Sequence, residues 1–125
     1  MMVTLSQVFN KTYPNEVQTF TGITTELAPA TSEDIEISAN KALLLTSVES
    51  DIDATVRLYP SQSDRTLDLN FQEFNLTGGV AQTFYQNAIA FVNNENPQVD
   101  TIFARVTNNS ALISIISLNL KAIIF

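Results

Sequence analysis

Cysteine, histidine and tryptophan are all missing from this chain, and only six of its 125 residues are basic. Without cysteine there is no disulfide framework and no thiolate metal site. Without histidine the commonest general base and metal ligand is lost, so Ser-His-Asp and Cys-His catalysis and the common zinc sites are excluded. Tryptophan is the strongest aromatic platform for a sugar ring, and that too is lacking. The net charge of −7, with the six basic residues scattered along the chain, argues against nucleic acid as a partner. Long apolar runs are also absent: Ala42–Leu45 and Ala88–Val92 are far too short to span a bilayer, so we expect no membrane partner. Met1–Gln7 has neither a basic leader nor a continuous apolar stretch, so we expect no secretory signal and synthesis in the cytosol.

What remains is a chain that suits one domain and can bury roughly two-thirds of its extended surface. Its patterning is that of strands. Thr101–Thr107 alternates, with Ile102, Ala104 and Val106 on one face and Phe103, Arg105 and Thr107 on the other. Asn108-Asn109 follows, and asparagine tolerates the positive φ of tight turns, which predicts a hairpin into a long strand over Ala111–Ala122. On that strand Leu112, Ile116, Leu118, Leu120 and Ala122 would share one face, with Ile113, Ile115 and Ile123 on the other. A strand apolar on both faces belongs in the middle of a sheet or against a partner chain. Ala54–Tyr59 alternates in the same way, with Ala54, Val56 and Leu58 opposite Thr55, Arg57 and Tyr59, and Pro60 stops it.

Upstream, Val17–Leu27 is rich in β-branched residues, and Gly22 within it marks a bulge or a close backbone approach. Glu33–Ser38 reads as a short strand with Ile35 and Ile37 inward, joined by a turn at Asn40-Lys41 to a strand over Ala42–Val48. Glu49–Asp53 reads as a turn. Between Ser61 and Asn75 the periodicity is poor, consistent with a single helical turn or with a loop pinned by Leu67, Leu69, Phe71 and Phe74. Val80–Tyr85 and Ala88–Val92 complete seven to nine short strands, which predicts an all-β, antiparallel β-sandwich or jelly-roll-like single domain over residues 17–125. Leu44, Val56, Leu58, Val106, Leu118 and Leu120 are expected in its core.

Residues 1–16 read as a separate arm or edge segment, cut off by Tyr13-Pro14. Met2, Val3, Leu5, Val8 and Phe9 on this arm are the expected interface residues of a homo-oligomer, because exposed they would be an aggregation risk. Other candidates are weaker. Glu49, Asp51 and Asp53, with Glu33, Asp34 and Glu36, offer hard oxygen ligands but lack the spacing and glycine of a calcium loop. Two carboxylates could in principle serve a glycosidase, yet acidic residues on turns need no such explanation. Tyr13, Tyr59, Tyr85 and Phe91 could stack on a carbohydrate, which keeps a sugar-binding or adhesin-like module as the alternative. Asn10, Asn75 and Asn108 head glycosylation-type triplets that read as chance matches or as turn chemistry. No cofactor and no catalytic or metal residue is assigned.

Two stretches carry a family resemblance. Ala54-Thr-Val-Arg-Leu-Tyr59, followed by Asp64-Arg65 and Asp68, resembles a pattern in small β-sandwich structural proteins of tailed bacteriophages, where an "ARVRLY"-like strand precedes a loop with Arg and Asp. Phe103-Ala-Arg-Val-Thr-Asn108, with its serine-containing turn and alternating final strand, is similar to the "YVRVTN" ending of those proteins. The resemblance implies a non-enzymatic virion component on the tail or baseplate, or decorating the head. Its partners would be copies of itself and other virion proteins.

Overall fold

The computed structural model describes residues 17–84 and 87–124. Among the described residues nine strands and one short helix follow one another: β1 (Val17–Ile23), β2 (Ser32–Ser38), β3 (Ala42–Ser50), β4 (Ala54–Tyr59), α1 (Gln62–Leu67), β5 (Gln72–Leu76), β6 (Gln82–Thr83), β7 (Ile89–Val92), β8 (Thr101–Asn108) and β9 (Ser117–Ile124). They form two antiparallel sheets. One runs β1-β9-β3 with β6 and β7 both on the far side of β3; the other runs β2-β8-β4-β5. Successive strands switch sheet except from β4 to β5 and from β6 to β7, the connectivity of a jelly roll.

The alternation read from the sequence explains why these sheets stack. Ile35 and Ile37 of β2, Val56 and Leu58 of β4, and Ile102, Ala104 and Val106 of β8 are buried from one side. Leu43, Leu45 and Val48 of β3 and Leu118, Leu120 and Ala122 of β9 meet them from the other, in one continuous core. Each large side chain so buried contributes roughly 1.5–3 kcal/mol before entropy is charged. Gly22 supplies a close approach rather than a bulge, since β1 runs in unbroken register with β9. A Cβ at Gly22 would sit 2.9 Å from Ile37 Cγ1 and 3.0 Å from Ile35 Cδ1, so the two sheets meet closely at this edge because there is no side chain.

Three expectations need correction. Asn108-Asn109 is not a hairpin turn, because β8 and β9 lie in different sheets and residues 109–116 carry the chain across. Two asparagines suit a tight turn and a sheet-to-sheet corner equally. Here the buried Asn108 amide donates to the Leu27 and Leu112 carbonyls at 2.9 Å, while its oxygen accepts from the Ser110 N–H at 2.8 Å. Consequently β9 starts only at Ser117, and Leu112, expected inward, is 74% exposed. The turn expected at Asn40-Lys41 carries the chain from β2 in one sheet to β3 in the other. Leu44 is half-buried, not core. The register of β3 against β9 slips between Leu45 and Ser47, so Leu43 and Leu45 point inward before the bulge and Val48 after it. Finally, Gln72–Leu76 is a strand within a stretch read as loop, and Leu67 and Leu69, expected to pin it, are exposed.

Candidate functional site

All three arginines of the chain converge on the outer face of the β2-β8-β4-β5 sheet. The register explains two of them: Arg57 of β4 stands directly opposite Arg105 of β8. Two cations in that position would repel unless carboxylates separated them. Helix α1 supplies what is needed. Ser61 after Pro60 caps it, accepting from the Asp64 N–H at 3.0 Å, and Asp68 ends it in the left-handed region at φ 56°. That turn brings the Asp68 carboxylate between the strands. Arg57 donates to both Asp68 oxygens, at 2.8 and 2.6 Å, and to Glu73 at 2.8 Å. Arg105 donates to Asp34 at 2.8 Å and lies 3.7 Å from Asp68. The Tyr59 hydroxyl donates to Asp68 at 2.5 Å.

Arg65, the one buried residue of α1, ties the helix to the sheet. Its guanidinium donates to the Ile35 carbonyl at 3.0 Å, lies 3.6 Å from Asp34 and 3.7 Å from Glu36, and sits 5.3 Å above the Phe103 ring. Arg57 covers Phe71 at 4.3 Å and Arg105 covers Tyr59 at 5.6 Å. Hydroxyl and amide groups around this lattice are also paired: Ser32 with Thr107 at 2.6 Å, and Thr55 donating to Asn75 at 2.8 Å.

The electrostatics follow from these contacts. Donation from Tyr59, then from Arg57, holds the Asp68 carboxyl below its ordinary value. Burial, and donation to Asp68, push the Tyr59 phenol up. Hydrogen bonds to Glu73 and then Asp68 raise Arg57, and the bond to Asp34 raises Arg105. A carboxylate held ionised in this way is the opposite of what a general acid requires. The adjoining groove, about 410 Å³ and lined by Ser32, Thr55, Arg57, Glu73, Asn75, Arg105 and Thr107, is shallow and polar. Its charged and hydroxyl groups are largely engaged with one another. The arrangement braces a sheet and a helix.

The other candidates separate. Met2, Val3, Leu5, Val8 and Phe9 lie outside the described residues, as do Tyr13 and Tyr85. Tyr59 and Phe91 are buried, so neither presents a ring to a sugar. The acidic residues do not assemble: Glu33, Asp34 and Glu36 lie on β2, in the other sheet from Glu49 on β3. Asp51 and Asp53 serve turns, accepting from the Ser117 N–H at 2.9 Å and the Gly78 N–H at 2.7 Å. Among the described residues no group of three or more His, Cys, Asp or Glu is placed to hold a metal ion. Exposed apolar side chains gather instead in the β8–β9 crossing, at Leu112, Ile113 and Ile115, and on β1 at Val17 and Ile23.

The arginine lattice was not assembled from the sequence. Its one signal was the outward phase shared by Arg57, Tyr59 and Arg105, and joining them needed the β4–β8 register.

Fold and site together define an all-β jelly-roll domain with a braced polar face. A scan against protein-family models finds no match, and a search of curated proteins finds no significant relative.

Proposed function

We propose that this chain is a non-enzymatic structural subunit of a tailed-bacteriophage virion. It works as a homo-oligomer on the tail or baseplate, or as a decoration of the head. The observation that carries this reading is where the resembling residues fall. The Ala54–Tyr59 stretch is β4, the Phe103–Asn108 stretch lies in β8, and these strands are neighbours. Asp64, Arg65 and Asp68 belong to the helix and cap folded over them. The two resembling stretches are therefore one object, a lattice of Arg57, Tyr59, Arg65, Asp68 and Arg105 that stiffens a sheet. Polar groups consumed in mutual bracing suit a load-carrying part better than a site that turns over substrate. Jelly rolls are a frequent choice for shell and surface proteins, which is an argument by analogy of fold.

The test is composition of purified particles. Mass spectrometry of density-banded phage from a lysate should find this chain at a fixed ratio to the major capsid or tube protein. Its absence from banded particles, with abundance in the soluble fraction, would overturn the proposal.

A further inference from the structure

A sheet edge exposes a row of unpaired N–H and C=O groups, and proteins normally blunt such edges with charge, proline, bulges or short length. Three of the four edges here are blunted. β2 carries Glu33, Asp34 and Glu36; β5 is five residues long and carries Glu73; β6 and β7 are two and four residues long. The fourth, β1, is seven residues of Val-Gln-Thr-Phe-Thr-Gly-Ile with no charge, no proline and no register break. Among the described residues it pairs on one side only, with β9.

We propose that the β1 edge is a self-association surface, on which β1 of a second copy pairs antiparallel about a two-fold axis to make one continuous sheet. The proposal rests on the homo-oligomer reading above and names its interface. The ladder fixes which groups are on offer. Thr24 donates to the Ile116 carbonyl at 3.0 Å, so by alternation Gln18, Phe20 and Gly22 face β9. Val17, Thr19, Thr21 and Ile23 then turn their backbone groups outward. Only an extended strand completes such a row, which sets the partner's chemistry.

A second copy of β1 fits that row. With the axis at Phe20, Thr19 faces Thr21 and Val17 faces Ile23 across the junction. Both are favourable cross-strand pairs. The 45% and 65% exposed side chains of Val17 and Ile23 would then cover each other. Charge points the same way. Copies of a chain carrying −7 repel over most of their surface, and an edge without charge is where they can meet. The carboxylates of β2, the strand of the other sheet packed against β1, are already engaged: Glu33 accepts from the Thr25 N–H, Asp34 binds Arg105, and Glu36 lies near Arg65.

The experiment uses the full chain. Sedimentation velocity across a concentration series should show wild type associating and Thr19→Lys/Thr21→Lys remaining monomeric, with unchanged circular dichroism. A native cysteine count of zero permits a register test that survives any folding defect in the lysine variant. Thr19→Cys chains mixed with Thr21→Cys chains, under copper–phenanthroline and air, should form a disulfide heterodimer in preference to either homodimer. A folded lysine variant that associates like wild type, or cysteine chains that cross-link without preference, overturns this interface and leaves the homo-oligomer reading standing. A wild-type chain that stays monomeric at every concentration overturns both. Association abolished by deleting residues 1–12, but not by the lysines, moves the interface to the arm.

Discussion

Gly22→Ala isolates the contact that brings the two sheets together at the β1 edge. An added methyl carbon would lie 2.9 Å from Ile37 Cγ1, 3.0 Å from Ile35 Cδ1 and 3.1 Å from Ile37 Cδ1. Ordinary carbon contacts sit at about 3.5–4.0 Å. Two buried isoleucines would therefore each have to yield by roughly half an ångström, or β1 would have to lift from β2. Overpacking of this kind costs about 1–3 kcal/mol. Against it stands about 0.4–1 kcal/mol gained because alanine restricts the unfolded chain more than glycine does. The net expectation is a loss of roughly 0.5–2 kcal/mol, read as a lower urea midpoint with unchanged slope. Ile37→Ala removes two of the three close contacts. In that background Gly22→Ala should be neutral or stabilising, although Ile37→Ala alone costs about 2–5 kcal/mol. Wild-type stability for Gly22→Ala in the parent chain would refute the reasoning, since it would mean that the sheets have slack at this edge.

Asn108→Ala should destabilise by about 1–3 kcal/mol in chemical denaturation, because it removes a fully buried amide that donates to the Leu27 and Leu112 carbonyls and accepts from the Ser110 N–H; an unchanged midpoint would contradict that role. Asp68, with its pKa lowered, contributes stability that is present above the unfolded carboxylate value and lost as pH falls through the folded one. Tyr59→Phe should therefore lower the melting temperature at pH 7, with the gap to wild type narrowing in acid; a gap that widens in acid would contradict the Asp68 contact. Tyr59 has the reverse sign, since its raised pKa means stability lost as pH climbs past the ordinary 10.0, and Tyr59→Phe should flatten that alkaline limb in a pH series of melts. Chelator should leave the melting temperature unchanged, because Asp51 and Asp53 spend a carboxylate oxygen on backbone N–H groups; a drop of more than a few degrees would reveal a structural cation.

The sequence was most informative where the physics is local. Period-two alternation placed β4 within Ala54–Tyr59 and most of β8, and it put the right side chains inward on both. It failed where the outcome depends on partners distant along the chain. Asn108-Asn109 has the composition of a hairpin turn, and only the sheet assignment of the flanking strands reveals a crossing. Leu44 was given the wrong face because the bulge near Thr46 shifts the phase of β3, and bulges leave little trace in composition. The polar lattice was half visible. Alternation placed Arg57 and Tyr59 together and Arg105 outward. That they share one carboxylate depends on strand order and on the left-handed turn at Asp68.

Electron cryo-microscopy of intact particles tests the central claim most directly. The account predicts density for this jelly roll at a symmetric position on the head, tail or baseplate, with β1 strands of adjacent copies hydrogen-bonded into one sheet. A particle map complete without this chain would contradict it.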